Sequence, residues 1–105
     1  SNDIIAYYSS DERLKENVKP IENALDKVSK INGVTFDWIE NMEEFHPNEG
    51  NDVGVIAQEI EKVLPEVVET RDSGYKAVKY EKIVPLLIES IKDLKAEIEE
   101  LKGKL

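Results

Sequence analysis

From Val84 to Leu105 the apolar residues Val84, Leu87, Ile91, Leu94, Ile98, Leu101 and Leu105 recur at alternating steps of three and four. This is a heptad repeat, with Val84, Ile91, Ile98 and Leu105 at a and Leu87, Leu94 and Leu101 at d. A helix so patterned carries an apolar seam that can be hidden only against another helix, and the chain offers few other long ones. The seam therefore predicts association of identical chains. Glu97 at g and Lys102 at the following e are placed to pair between neighbouring helices of a parallel bundle. Glu100 and Lys104 stand four apart in the order that supports a single helix. Pro85 suits a first helical turn, which sets the helix start near Val84, and Gly103 loosens the other end. Ile at a with Leu at d is a two-stranded preference, so the pattern alone leans to a dimer. The bland alternative is a helix that packs on its own domain.

A chain of 105 residues is one domain with a modest core, which association would assist. It has no cysteine, so disulfides and thiolate metal sites are excluded, as fits a reducing compartment or a particle assembled inside a cell. No run approaches the roughly 18 apolar residues of a membrane span, and no secretory leader pattern opens the sequence, so a soluble protein with no membrane partner is expected. The net charge of -9 repels phosphate backbones and no basic patch offsets it, which argues against nucleic acid. The charge is uneven: residues 40–52 hold Glu40, Glu43, Glu44, Glu49 and Asp52 with no Lys or Arg.

Along the chain, residues 3–8 are apolar and aromatic and read as an extended strand. Ser9 and Glu12 have capping-box spacing, which predicts a brief helical turn over residues 11–16. Pro20 opens a predicted helix over residues 21–31, with Ile21, Ala24, Leu25, Val28 and Ile31 on one face and Asn32-Gly33 at its end. Residues 34–39 alternate Val34, Phe36 and Trp38 against Thr35, Asp37 and Ile39, a strand with an aromatic core face. The acidic stretch 40–52, with Pro47, Asn48 and Gly50, reads as an exposed loop. A short strand over 53–56 and a helix over 57–64 follow, stopped by Pro65. Residues 67–70 and 75–80 flank a turn at 71–74, a predicted hairpin that runs into the heptad helix. The expected fold is α+β: an extended lead-in over 1–9, a small body of short strands and helices over 10–80, and a long C-terminal helix over 81–105.

Three blocks then carry a resemblance: SSDERLKENV at residues 9–18, GVIAQEIEKVLPEVV at 54–68 and AVKYEKIVPLLIESIKDL at 77–94. In order and spacing they resemble the intramolecular chaperone domain found at the C-termini of phage tail fibres and tailspikes, which is also the self-cleaving module of myelin regulatory factor. The likeness covers residues 9 to about 101. It implies a homotrimer, with Val84, Leu87, Ile91, Leu94, Ile98 and Leu101 as a trimeric coiled-coil interface. It implies as partner an upstream β-fibrous segment of the same polypeptide, whose three copies the domain aligns for folding. Release would follow by autoproteolysis, in the host cytoplasm during virion assembly, so that the released domain is absent from the mature particle. On strand number the resemblance is followed over the dimer-leaning pattern.

By the same resemblance the catalytic pair is Ser10 and Lys15, a Ser/Lys dyad of a self-cleaving serine endopeptidase acting once, in cis or between subunits. The cut falls at Ser9-Ser10-Asp11, with the side of Ser10 left open. A serine hydroxyl becomes a nucleophile when a base takes its proton, and lysine serves only as the neutral amine. Arg13 is a candidate for the nearby cation that would lower the lysine pKa. Five residues apart, Ser10 and Lys15 lie about 140° apart on an ideal helix and on opposite faces of a strand. Either the chain bends between them or Lys15 of one chain serves Ser10 of another, and a geometry completed in the trimer is the expectation, since it couples cutting to assembly. Without the resemblance, Ser, Asp and Lys here would read as capping and solvated charge.

No cofactor is expected. His46 with Glu43, Glu44 and Glu49 imitates a metal site but reads as a solvated loop, so no metal is expected either. Phe36 and Trp38 read as core, and Gln58, Glu59 and Glu61 as helix-start residues suited to the dipole. Two function classes stand: a self-cleaving assembly chaperone, or a non-cleaving trimerisation cap that stays attached to the fibre. A coiled-coil interaction domain of a cellular protein is a distant third.

Overall fold

The computed structural model describes residues 9–105. The strand expected over residues 3–8 lies outside them. The fold is mixed helix and strand, in the order η1 (Glu12–Leu14), α1 (Ala24–Val28), β1 (Val34–Asp37), β2 (Asn51–Gly54), α2 (Ala57–Val63), η2 (Pro65–Val67), β3 (Val68–Thr70), β4 (Lys76–Val78), η3 (Tyr80–Ile83) and α3 (Val84–Gly103). The strands form two antiparallel hairpins, β1–β2 with Phe36 opposite Asp52, and β3–β4 with Glu69 opposite Ala77.

The core is small: Ala24, Ile60, Leu64, Val67, Ile83 and Leu86, with Ile21, Val28, Ile31, Val55, Val63, Val68 and Val78 packed around it. It draws on α1, α2, η2, η3 and the first turn of α3, so the long helix is anchored in the body. Asp93 Oδ2 accepts from the Leu25 N–H at 3.3 Å and ties the third turn of α3 to α1. Ser90, on the same side, is buried and donates its hydroxyl to the Leu86 carbonyl at 2.7 Å, so it needs no partner from the core.

Several local expectations change. The helix predicted over 21–31 is regular only from Ala24 to Val28, because Asn23 takes a left-handed conformation (φ 55°) at its N-cap. After Ser29 the chain tightens into i→i+3 bonds, Lys30 to Lys27 and Ile31 to Val28. Ile21, Ala24, Val28 and Ile31 nevertheless reach the core. Strand β1 stops at Asp37, and its Val34/Phe36 face is half-buried. The aromatic core expected there is not the core of the domain. The sheet has two strands, too few to cover that face. The short strand expected over 53–56 is displaced to Asn51–Gly54, where it pairs with β1.

The 71–74 turn forms, closed by the Arg71 N–H on the Tyr75 carbonyl at 2.9 Å, with Gly74 at φ 92° supplying the conformation that disfavours a side chain. The start of α3 at Val84, with Pro85 in its first turn, is as the sequence reads.

Candidate active site

Residues 9–20 are exposed throughout. Within them the chain arrives extended at Asp11 (φ -65°, ψ 132°), makes the single 3-10 turn η1, and leaves extended at Lys15 (φ -124°, ψ 146°). Two backbone bonds close the turn, Leu14 N–H to Asp11 C=O at 3.0 Å and Lys15 N–H to Glu12 C=O at 3.1 Å. The side chains at its two mouths meet: Lys15 Nζ donates to Ser10 Oγ at 2.8 Å. The chain bends between them, and the contact forms within one chain.

The turn is capped by Asp11, not by the Ser9/Glu12 capping box. Asp11 Oδ1 accepts from the Arg13 N–H at 2.8 Å and from Arg13 Nε at 3.1 Å, while Oδ2 accepts from Nη2 at 2.8 Å. The Arg13 guanidinium, and after it the Arg13 backbone N–H, hold the Asp11 carboxyl below the usual carboxylate range, and Asp11 raises Arg13 in return. Arg13, the candidate for the cation near Lys15, is engaged by Asp11. The signal for this pair was available as Asp-x-Arg at the N-cap of a one-turn helix. Leu14 and Val18, in the same stretch, are 73% and 78% exposed.

The heptad positions form one exposed stripe on α3. Val84, Leu87, Ile91, Leu94, Ile98 and Leu101 are all between 42% and 67% exposed. Leu86 and Ser90, which do pack on the body, lie on the neighbouring face. The helix therefore packs on its own domain through one face, and among the described residues nothing covers the seam. Glu100 and Lys104 pair at 3.4 Å as their spacing predicts.

The acidic loop is more ordered than its composition suggests. A turn at 42–46 returns His46 onto the Trp38 ring, centroids 4.4 Å apart, and Phe45 onto Tyr75 at 4.6 Å. His46 Nδ1 accepts from the Asn48 N–H at 3.2 Å. Among the described residues no three His, Cys, Asp or Glu side chains gather as metal ligands. A groove of about 730 Å³ runs between the hairpins, floored by Phe36, Trp38, Phe45 and Tyr75. Glu59 accepts from the Asn32 N–H at 3.2 Å, and Glu61 pairs with Lys76 at 3.0 Å, so both carboxylates tie elements of the body together. Among the described residues no helix is long and apolar enough to cross a membrane.

A family model described as chaperone of endosialidase (Peptidase_S74) matches residues 10–69, beginning at Ser10. The chain is 47% identical over 105 residues to the long tail fiber protein Gp37 of Enterobacteria phage K3, covering 94% of this chain and 8% of that protein. The same figures hold for Gp37 of Enterobacteria phage T2. Gp37 of Enterobacteria phage M1 is 38% identical over 108 residues, 99% of this chain and 42% of that protein. The chain spans less than half the length of these curated relatives. On the family match over its N-terminal and central parts, and on relatives that align with almost all of it, the chain belongs to the chaperone-of-endosialidase family.

Proposed function

We propose that this domain is the intramolecular chaperone of a phage long tail fibre chain. Three copies join along Val84, Leu87, Ile91, Leu94, Ile98 and Leu101, align their upstream segments for folding in the host cytoplasm, and are then released by autoproteolysis at Ser10. The observation that carries the reading is the 2.8 Å contact between Lys15 Nζ and Ser10 Oγ, a nucleophile with a base in reach. The relatives, all long tail fibre proteins, supply the upstream partner. Ile88, 51% exposed at an e position, widens the apolar stripe beyond a strict two-stranded seam and supports the third helix.

The reacting direction reverses the observed hydrogen bond. Ser10 Oγ gives its proton to a neutral Lys15 Nζ and attacks the Ser9 carbonyl carbon through a five-membered ring. Attack on its own carbonyl would need a four-membered one. The bond from the Ser9 carbonyl carbon to the Ser10 nitrogen breaks, the lysine ammonium returns the proton to that nitrogen, and an ester joins the Ser9 acyl group to Oγ. Water hydrolyses the ester, leaving a carboxylate on Ser9 and a free amine and hydroxyl on Ser10.

The exposure of both dyad side chains favours one alternative, a trimerisation cap that stays attached. The chaperone role is tested by expressing a fibre segment followed by the domain, as wild type and as Ile91→Asp. The wild type gives a soluble, trimeric upstream segment; the variant gives misassembled, insoluble chains. An upstream segment that reaches its folded trimer equally well with Ile91→Asp would refute the role.

A further inference from the structure

We propose that Asp11 and Arg13 are positioning residues for the dyad, acting as a clamp on the turn that brings Lys15 to Ser10. The proposal rests on the autoproteolytic reading above. A separation of five residues suits neither helix nor strand, so the contact exists only while residues 12–14 keep their single 3-10 turn between two extended residues. That turn has little else to hold it. It buries none of its residues, and a lone 3-10 turn with two backbone bonds is marginal in water. What it has is the Asp11 carboxylate, which caps the turn through the Arg13 N–H and grips the Arg13 guanidinium through two further bonds. One oxygen takes the cap and Nε, the other takes Nη2. The backbone and side chain of Arg13 are thus locked to the residue adjoining Ser10, and the residue that emerges two places later is Lys15.

This assigns Arg13 a different part from that of a free cation lowering the lysine's basicity. Its charge is matched by Asp11 at 2.8 Å, and its fork geometry is what is used. The two roles predict different chemistry. A free cation can be replaced by lysine, and its loss moves the pH at which cleavage reaches half its maximal rate. A clamp cannot be replaced by lysine, and its loss lowers the maximal rate while leaving that midpoint in place.

The test measures the cleavage rate against pH for the domain joined to its upstream fibre segment, as wild type, Arg13→Lys, Arg13→Ala, Asp11→Ala and the double variant Asp11→Ala/Arg13→Ala, with Ser10→Ala as the uncut control. Misplacing a reacting pair by about 1 Å costs about a hundredfold. Each single variant, Arg13→Lys included, is expected to lose about that much in maximal rate with its pH midpoint unmoved. The double variant is expected to lose no more than either alone, because both remove one device. Near-wild-type cutting by Arg13→Lys, or a midpoint that moves in Arg13→Ala, overturns the clamp.

Failure of the underlying reading is recognised separately, by a wild type that does not cut at all. The clamp is then decided on the 105-residue chain by the nuclear Overhauser contact between the Lys15 and Ser10 side chains. Loss of that contact in Arg13→Ala upholds it, and its persistence overturns it.

Discussion

At the scale of single residues, Gly54 and Tyr80 fix how the β1–β2 hairpin sits on the start of the long helix. A Cβ on Gly54 would stand 2.6 Å from the Tyr80 hydroxyl oxygen, which itself accepts from the Val55 N–H at 3.2 Å. Gly54→Ala is therefore expected to destabilise the domain by about 1–3 kcal/mol through overpacking. In a Tyr80→Phe background the same substitution costs less, since the nearest remaining atoms are Phe36 Cε1 at 3.4 Å and Tyr80 Cζ at 3.7 Å, both at van der Waals distance. Equal costs in the two backgrounds, measured by denaturant unfolding, would contradict the close approach.

Asp52 gives a second residue-scale prediction. The Val53 N–H, and after it the Trp38 indole N–H, hold its carboxyl below the ordinary aspartate range. A carboxyl depressed in the folded state contributes stability that is fully present above its unfolded value of about 3.9 and is lost as pH falls through the folded value. The Trp38 indole N–H resonance should titrate with a midpoint below that unfolded value, and Asp52→Asn should abolish the step. A midpoint at or above the unfolded value would contradict the assignment.

At the scale of elements, α3 has two faces with separate duties. Leu86, 1% exposed, belongs to the body, and Leu86→Ala should cost about 2–5 kcal/mol of unfolding free energy. Ile91, 67% exposed, belongs to the seam, and Ile91→Asp should abolish association while changing monomer stability by less than about 0.5 kcal/mol. Sedimentation and urea unfolding of the two variants separate these effects. Loss of monomer stability in Ile91→Asp would place the seam inside the domain.

This helix was the most legible element in the sequence, because seven apolar residues and Pro85 all point to one period and one start. The short elements were less so. Asn23 in a left-handed conformation truncates α1, and nothing in local periodicity announces it. The alternation of Val34, Phe36 and Trp38 does mark one half-buried face, but which layer covers that face is decided by tertiary packing. Ser10 and Lys15 stand out in the sequence only through the family resemblance. Their meeting depends on a 3-10 turn whose Asp11 cap competes with an equally plausible Ser9/Glu12 box.

At the scale of the whole molecule, the chain is extended for its size. Its radius of gyration is 17.5 Å, against about 13 Å for a compact domain of this length, and its longest dimension is 56 Å. Among the described residues six buried apolar side chains make a small core, and more large apolar side chains stand exposed along α3 than are buried beneath it. Such an arrangement has little core for a lone chain, and the proposed assembly would add to it by burying the stripe against copies of itself. Under the proposed assembly the wild-type melting temperature should rise with protein concentration while that of Ile91→Asp does not.

The proposed release of an assembly chaperone by its own Ser10/Lys15 dyad can be read from the intact mass of the domain expressed with its upstream fibre segment. Wild type should separate into two pieces divided between Ser9 and Ser10, while Ser10→Ala and Lys15→Ala stay whole and still assemble. A wild type that remains whole as a stable trimer, or a Ser10→Ala chain that still divides there, would contradict it.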